Sequence, residues 1–247
     1  MASLILKNPH SVLAALQQRP QDVIEVRVPR QPLSQGWSDA IELAMSNRVS
    51  VQRGVMTSGG SGGRGSKAKG GGRESGAEAI VRERQPVELD ELFASDSSKG
   101  LWLALDQVQD PHNVGAIFRA AGFFGVRGIV MTRHKSAPMT AVAYDVASGG
   151  VEHVPYTVVT NLRQAIDASK EAGLWVLGTS EHATQSIMQV DRDRKWLILL
   201  GNEESGLRRL TTEHCDELCS IPSLGGVDSL NVSVAAGVTV ALMSLPG

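Results

Sequence analysis

Residues 101–124 read LWLALDQVQDPHNVGAIFRAAGFF, and this stretch decides the fold class. Its first five residues form an apolar run of strand length, and a polar loop follows them. From Val114 to Ala121 the apolar residues repeat at the spacing of one helical face. The pattern predicts a strand, a loop and a helix, with Asn113 as the helix N-cap and Arg119 pointing away from the buried stripe.

The same alternation of apolar runs and amphipathic segments continues to the end of the chain. Further strands are predicted at 128–131, 153–158, 174–178, 196–201 and 218–221, and further helices at 139–148, 162–172, 211–218 and 231–245. This order predicts an α/β fold whose mostly parallel sheet carries helices on both faces. Ligands bind beyond the carboxyl ends of such strands, so the loops after the strands are the candidate site.

Residues 1–86 are predicted to form a separate small α/β unit. A helix from His10, a strand at 23–28, a helix at 38–46 and a strand at 77–84 fit its sequence. Between them, residues 57–76 contain 9 of the 26 glycines and four basic residues against one acid. This composition predicts a flexible basic insert, for which a solvated spacer is an equal alternative. Residues 87–100 form an acidic linker to a second domain at 101–247.

Charge divides unevenly between the two parts of the chain. The net charge is only −2, which excludes a polycationic coat for nucleic acid. Residues 1–99 nevertheless hold 13 basic against 11 acidic side chains, and the remainder holds 11 against 15. We therefore expect the first domain to bind a polyanion and the second to carry out the chemistry.

Composition and missing motifs exclude several other classes of protein. Aromatic residues make up 4% of the chain, too few for rows of base-stacking rings. Neither GxGxxG after the first strand of the second domain nor GxxxxGK[ST] anywhere occurs, which argues against ordinary dinucleotide-binding domains and P-loop enzymes. The apolar run at the amino terminus is too short for a signal peptide, and the apolar segment 232–245 is too short to cross a membrane. A cytoplasmic protein is expected.

Cysteine and histidine residues near the carboxyl terminus suggest a metal site that the spacing does not support. His214, Cys215 and Cys219 supply too few ligands, with the two thiols four residues apart. Two cysteines also cannot form a disulfide framework, and they fit a reducing compartment. We expect no metal and a structural role for these side chains.

Two further polar loops follow predicted strands. The first, GNEESGL at 201–207, places Glu203 and Glu204 at the edge of the sheet. They are either solvent-exposed acids of a turn or the paired acids of a glycoside hydrolase. Glycoside hydrolysis requires two carboxylates that face each other, and adjacent positions in sequence do not provide that geometry. The second loop, IPSLGGVDSLN at 221–231, precedes the final helix, which Ser229 or Asn231 can cap. That helix is apolar all round and predicts burial inside the fold or against a second subunit.

Three motifs together resemble the signature of the SpoU/TrmH branch of the SPOUT methyltransferases. They are DPHNVGAIFRAA from Asp110, LLGNEESGL from Leu199 and IPSLGGVDSLNVSVAAG from Ile221. The resemblance implies a trefoil-knotted α/β domain, a homodimer, and transfer of a methyl group from S-adenosylmethionine to a ribose 2′-hydroxyl of RNA. The amino-terminal residues further resemble the small RNA-binding domain of bacterial enzymes that methylate guanosine in large-subunit ribosomal RNA.

The resemblance also assigns roles to individual residues of this chain. Its catalytic positions are Asn113, Arg119, Glu203, Ser229 and Asn231, and its cofactor positions are Gly178, Thr179, Gly201, Ile221 and Leu230. The family proposal makes the arginine a base. Because guanidinium pKa values exceed 12, we expect Arg119 instead to bind a phosphate and stabilise the developing alkoxide.

Other functions stay open at this point. The nearest alternatives are ribose methylation of transfer RNA and methylation of ribosomal RNA for antibiotic resistance. A member of the fold that binds RNA without catalysis is a third, although all five catalytic positions keep the matching residues. The additional amino-terminal domain favours ribosomal RNA over transfer RNA.

Overall fold

A computed structural model describes residues 2–54, 76–202 and 206–245 of the chain. Residues 57–75 of the glycine-rich insert predicted at 57–76 lie outside these ranges. Glu203 also lies outside them. The described part contains two sheets, one from each of the two predicted regions.

The amino-terminal sheet has four strands and two covering helices. They are β1 (Ser3–Leu6), α1 (Pro9–Gln18), β2 (Val23–Val28), α2 (Gln35–Ser46), β3 (Ser50–Arg53) and β4 (Glu78–Arg82). The strand order is β1-β4-β2-β3, in which β2 and β3 are parallel and the other pairs antiparallel. The two edge strands, β1 and β3, are not predicted by the sequence pattern.

The second sheet has six parallel strands in the order β10-β8-β9-β5-β6-β7. Its strands are β5 (Gly100–Leu105), β6 (Gly128–Thr132), β7 (Tyr156–Val159), β8 (Trp175–Thr179), β9 (Lys195–Leu200) and β10 (Glu217–Cys219). The helices of this half are α3 (Leu89–Phe93), α4 (Pro111–Phe124), α5 (Ala141–Ala147), α6 (Gly150–His153), α7 (Leu162–Glu171), α8 (Arg209–Thr212) and α9 (Val232–Ser244).

Helices cover both faces of the six-stranded sheet, as predicted. Alternate side chains of β5 enter different cores: Leu101, Leu103 and Leu105 pack with α4, α5 and α9, while Trp102 and Ala104 pack with α3 and α7. Because both faces are covered, the central strands β5 and β9 are apolar after their first residues, Gly100 and Lys195. The predicted α/β class with a parallel sheet is confirmed.

Several predicted boundaries in the second half were wrong. The strand predicted at 153–158 begins only at Tyr156, because residues 150–153 form α6 after Gly149, whose φ is 96°. The helix predicted at 211–218 is the shorter α8. It stops early because the carboxylate of Asp216 accepts hydrogen bonds from the Val176 amide (2.8 Å) and from Lys170 (2.6 Å), which ties residue 216 to the sheet.

The predicted linker contains a packed helix. In α3, Leu92 and Phe93 are buried against the six-stranded sheet, and the carbonyl of Leu92 accepts a 2.8 Å hydrogen bond from the Trp102 indole. The domain limits at 86 and 100 stay a prediction. Among the described helices, none combines the length and the apolar character that crossing a bilayer requires.

Candidate functional site

The loops named by the sequence motifs meet at the carboxyl edge of the six-stranded sheet. In the register of the strands, Leu105 of β5 pairs with Leu200 of β9, and Gly178 of β8 pairs with Leu199. Thr179 pairs with Cys219, the last residue of β10. The residues that follow these four strands therefore leave the sheet side by side, where a ligand can touch several loops at once.

The turn after β9 is closed so tightly that Gly201 has no room for a side chain. Asn202 and Gly206 exchange two backbone hydrogen bonds of 3.0 Å. A Cβ on Gly201 would lie 2.2 Å from the carbonyl carbon of Gly206 and 2.3 Å from the nitrogen of Leu207. Glycine at 201 is thus a structural requirement of this turn. Glu203 lies between these two ends, outside the described residues.

The end of β8 is fixed from both neighbouring strands. The Thr179 hydroxyl donates to the Leu199 carbonyl (2.9 Å), and the Ser180 amide donates to the Cys219 carbonyl (2.9 Å). A Cβ on Gly178 would lie 2.6 Å from the Leu218 side chain and 2.7 Å from the Cys215 sulfur. Gly178 and Gly201, the two glycines assigned to the cofactor site, therefore lie where neighbouring parts of the chain approach closely.

The loop after β10 supplies an apolar surface beside these strand ends. Ile221 follows β10 almost directly and is half-buried, whereas Leu230 is exposed. Ser229 is also exposed. The two apolar side chains can contact a flat ring, and the backbone groups of 178–180 and 201–202 can meet its polar edges. The loops thus combine backbone polar groups with apolar side chains, which is the chemistry that a nucleoside-containing ligand requires.

Asp106 is a residue of this edge that the motifs did not single out. It follows β5 directly, is 1% exposed, and accepts hydrogen bonds from Thr211 (2.9 Å) and from Arg208 Nε (3.0 Å). Arg208 Nη2 lies 2.8 Å from its second oxygen. Asp106 therefore holds α8 and the end of the 201–208 turn against the sheet. An acid directly after a buried strand is the sequence signal that could have found it.

Two further hydrogen bonds join the loops after β5 and β9 to the end of β6. The side-chain amide of Asn202 donates to the Gln107 carbonyl (2.9 Å), and the backbone amide of Gln107 donates to Thr132 Oγ1 (3.0 Å). Gln107 has a φ of 64°, a left-handed conformation unusual for a residue with a side chain. These bonds connect the ends of β5, β6 and β9 into one rigid edge.

The prediction that Asn113 caps the helix of the first motif was wrong. The helix α4 begins two residues earlier, at Pro111, and the N-cap is Asp110, whose carboxylate accepts from the His112 amide (2.8 Å). Proline is favoured at the first helical position because it has no amide hydrogen to satisfy. Asn113 instead lies in the first turn, where it is buried.

Arg119 is exposed on α4, as its helical phase predicts. It lies eight residues after Pro111, or about 12 Å along the helix axis.

Asn231 is the N-cap of α9. Its side-chain oxygen, Oδ1, accepts hydrogen bonds from the backbone amide (2.9 Å) and the hydroxyl (2.6 Å) of Ser233. The carboxyl end of α9 lines one surface depression together with Phe124 and Gly125 at the end of α4. The two helices therefore run in the same direction, and Asn231 begins α9 at the edge of the sheet where α4 also begins.

The structure thus brings together most of the predicted positions. Asn113, Asn231 and the ends of β8, β9 and β10 share the carboxyl edge, and Ser229 lies two residues before Asn231. Arg119 lies farther along α4. Burial of α9 inside the fold is seen on one face only, because Val234 is 49% exposed in the single chain. Burial of the other face against a second subunit stays a prediction.

Of the two cysteines, Cys219 is buried and Cys215 is half-buried. Burial, with a smaller contribution from Asp216, raises the pKa of Cys215 to about 12, and burial, with a smaller contribution from Glu217, does the same for Cys219. Thiols in this state are poor nucleophiles and poor metal ligands. Within the described ranges, no three His, Cys, Asp or Glu side chains are grouped to hold a metal ion.

Comparisons with known proteins show the family to which the chain belongs. Residues 100–241 match the model of the SpoU rRNA Methylase family. The 23S rRNA (guanosine-2'-O-)-methyltransferase RlmB of Nitrosomonas europaea is 36% identical over 93% of this chain and 86% of its own length. The enzyme of the same name from Pseudomonas putida is 39% identical over 93% of this chain and 91% of its own.

A solved structure has the same fold at lower sequence identity. The SpoU methyltransferase AviRb from Streptomyces viridochromogenes, in complex with the cofactor AdoMet, has a TM-score of 0.78 at 22% identity. The match covers 98% of this chain and 89% of that one, so it includes both sheets. With the family model matching more than half of the chain and relatives matching nearly all of it, the chain belongs to the SpoU rRNA methylase family.

Proposed function

We propose that this protein is an S-adenosylmethionine-dependent RNA methyltransferase that acts on a ribose 2′-hydroxyl of a guanosine in large-subunit ribosomal RNA. The observation that carries the proposal is the meeting of the three motif loops at one edge of the sheet, around turns that only glycine permits. The names of the relatives that match both halves of the chain support the ribosomal substrate.

The cofactor site that we propose consists of Gly178, Thr179, Gly201, Ile221 and Leu230. The strand ends offer backbone donors and acceptors, and the two apolar side chains offer surfaces for the adenine ring. S-adenosylmethionine supplies a methyl group on a positively charged sulfur, which is already a good leaving group. Most of the catalytic work left to the protein is therefore positioning of the ribose and removal of its proton. The family's trefoil knot is part of the same proposal.

Arg119 is proposed to bind the phosphate beside the target nucleotide and to stabilise the negative charge that develops on the attacking oxygen. Its exposure leaves the guanidinium accessible to RNA, and its permanent charge suits a phosphate better than it suits a base. Asn113, Glu203, Ser229 and Asn231 are proposed to orient the ribose and the loops that hold it.

A homodimer is part of the proposal. The open face of α9 presents Val234, which is 49% exposed, and Phe123 near the end of α4, the helix that packs against α9, is 83% exposed. An apolar surface of this kind is typical of a subunit interface. We place the protein in the cytoplasm, where ribosomal RNA is modified in bacteria.

The decisive experiment supplies labelled S-adenosylmethionine and ribosomal RNA, then maps the labelled ribose. The wild type is expected to label one guanosine of the large-subunit RNA, and Arg119→Ala to lower the rate at least roughly 100-fold. Arg163→Ala is the matched control, because Arg163 is an exposed arginine on α7, on the opposite face of the sheet. Labelling of transfer RNA alone would replace the substrate, and no label in any RNA would refute the enzyme.

A further inference from the structure

A pair of glycines joins the amino-terminal domain to the helix that carries Arg119. A Cβ on Gly149 would lie 2.9 Å from the Ala14 side chain and 3.4 Å from the His10 carbonyl, both in α1. A Cβ on Gly150 would lie 2.3 Å from the Phe118 carbonyl oxygen and 2.9 Å from the Arg119 nitrogen, both in α4. The two glycines are thus in close contact with α1 on one side and with the backbone at Arg119 on the other.

The short helix that begins at Gly150 is anchored by a buried ion pair. Glu152 of α6 is 4% exposed, and Arg19 at the end of α1 is 8% exposed. Arg19 donates to the two carboxylate oxygens from Nε (2.7 Å) and Nη2 (2.8 Å), in the two-bond geometry of a strong arginine–carboxylate pair. A third donor, Nη1, reaches the Arg82 carbonyl at the end of β4 (2.6 Å). Arg19 therefore fixes α6 to two elements of the amino-terminal domain.

The neighbouring helix α5 is held from the same side. The carboxylate of Asp145 accepts from the backbone amides of Lys7 and Asn8 at 3.0–3.1 Å, and the Asn8 amide group donates to the Asp145 carbonyl (2.7 Å). On its other side α5 packs against α4 without clearance, since a Cβ on Gly115 would lie 2.6 Å from the Ala143 carbonyl. The helices α5 and α6 are therefore packed between the amino-terminal domain and α4.

We infer that Arg19 and Glu152 are positioning residues for Arg119, so that docking of the amino-terminal domain sets the geometry of the catalytic region. Neither side chain touches the proposed ribose site; both act through α6 and the backbone of residues 118 and 119. Close-packed backbone contacts transmit displacement because they have no slack to absorb it. Removing Arg19 leaves the Glu152 carboxylate buried without this partner, and removing Glu152 leaves Arg19 only the more distant Asp22 carboxylate, at 3.4 Å. In either case α6 must move or admit water.

This inference rests on the proposed function, and its test measures methyl transfer under steady-state conditions. Arg19→Gln, Glu152→Gln and the double variant are assayed well below their melting temperatures. We expect kcat to fall by about 10-fold to 100-fold in each, since displacements near 1 Å have effects of this size. The dissociation constant of S-adenosylmethionine and the KM for RNA should change by less than about 3-fold. The double variant should lose no more than the worse single variant, because the pair acts as one unit.

Ile41→Ala is the control for mere loss of stability. Ile41 is buried in the amino-terminal core on α2, so its truncation weakens that domain without removing a bond to α5 or α6. An equal loss of kcat in Ile41→Ala at an equal loss of melting temperature would overturn the inference. Unchanged kcat in the Arg19 and Glu152 variants would overturn it as well.

A conservative variant keeps the test decisive if the glutamine variants fail to fold. Arg19→Lys retains the charge but cannot make the two-bond pair. It is expected to fold and to show an intermediate loss of kcat, whereas wild-type kcat would contradict the positioning role. Absence of methyl transfer in the wild type would refute the proposed function. In an active wild type, this inference is refuted by unchanged kcat in the Arg19 and Glu152 variants or by an equal loss of kcat in Ile41→Ala.

Discussion

Asp106 shows how much of the site depends on a single side chain outside the motifs. Its carboxylate accepts from Thr211 and Arg208 while almost fully buried, and these two residues lie just beyond the 201–207 turn. The motif residues can form a cradle only if that turn is held against β5. At the scale of one residue, the geometry of the proposed cofactor site is set by a buried acid that does not touch the cofactor.

Replacing this acid tests that view. Asp106→Asn keeps the shape but removes the charge that Arg208 and Thr211 face, and it is expected to lower the free energy of unfolding by about 1–3 kcal/mol. It should also weaken binding of S-adenosylmethionine at least roughly 10-fold. Urea denaturation and calorimetry measure the two effects. Arg209→Gln, which breaks only the exposed Arg209–Glu213 pair, should cost less than about 0.5 kcal/mol. Equal behaviour of the two variants would contradict the role of Asp106.

The buried thiols predict a pH dependence. Because burial raises the pKa of Cys215 and Cys219 from 9.0 to about 12, the folded state favours the protonated thiol. Their contribution to stability is therefore complete below pH 9 and is lost as pH rises toward 12. At pH 8, alkylation of the native protein should be at least roughly 100-fold slower than in urea, since the thiolate is the reacting form. Similar rates in the two conditions would show that the thiols are accessible and ionised.

At the scale of elements, α4 and α9 show why some features can be predicted from sequence and others cannot. The strand β5 and the helix α4 follow from periodicity, which depends only on one buried face. The start of α4 was misplaced because Asp110 and Asn113 are both good caps, and only Pro111 between them decides. Strands β1 and β3 were missed because both are four-residue edge strands, and their pairing is set by neighbours distant in sequence.

The site shows the same division between local and distant effects. The motifs correctly place the polar loops after the strands and Asn113 and Asn231 at the starts of helices. The parallel sheet then brings the strand ends to one edge. The contacts of Asp106 with Arg208 and of Glu152 with Arg19 join residues that are 102 and 133 positions apart in sequence. No local pattern encodes them.

The open face of α9 predicts the oligomeric state. Val234 is 49% exposed on a helix whose other face is buried, so Val234→Glu is expected to place a charge in the subunit interface. Sedimentation should show a dimer for the wild type and at least a roughly 100-fold weaker association for the variant. Met45→Glu, at a residue 62% exposed on α2, should leave the association unchanged. A monomeric wild type, or a dimeric Val234→Glu, would refute the interface.

At the scale of the whole molecule, the two sheets share one continuous core. Leu6, Val12 and Trp37 of the amino-terminal half belong to the same buried cluster as Ile117 and Ile198 of the second half. The buried pair between Arg19 and Glu152 crosses the same boundary. Two sheets connected in this way are expected to unfold together, although they resemble two domains in sequence.

Fluorescence can test this cooperativity. Trp37 reports on the amino-terminal half and Trp196 on the six-stranded sheet, and both are fully buried. Variants that keep only one of these tryptophans, with phenylalanine at the others, should show urea midpoints that agree within error. A separate transition for Trp37 at lower urea would show that the amino-terminal domain unfolds independently. Glu152→Gln should be the variant most prone to that separation.

The position of β5 between β6 and β9 has a consequence for synthesis on the ribosome. Gly100 of β5 pairs with Lys195 of β9, which is made 95 residues later. At bacterial and eukaryotic elongation rates of about 5–20 residues per second, β5 waits roughly 5–20 s with one apolar edge unpaired. During that interval β6, β7 and the amino-terminal domain can already form, so the nascent chain is a half-sheet with an exposed central strand. Protection of that edge, by a chaperone or by the ribosome surface, is therefore a condition for the yield of this protein.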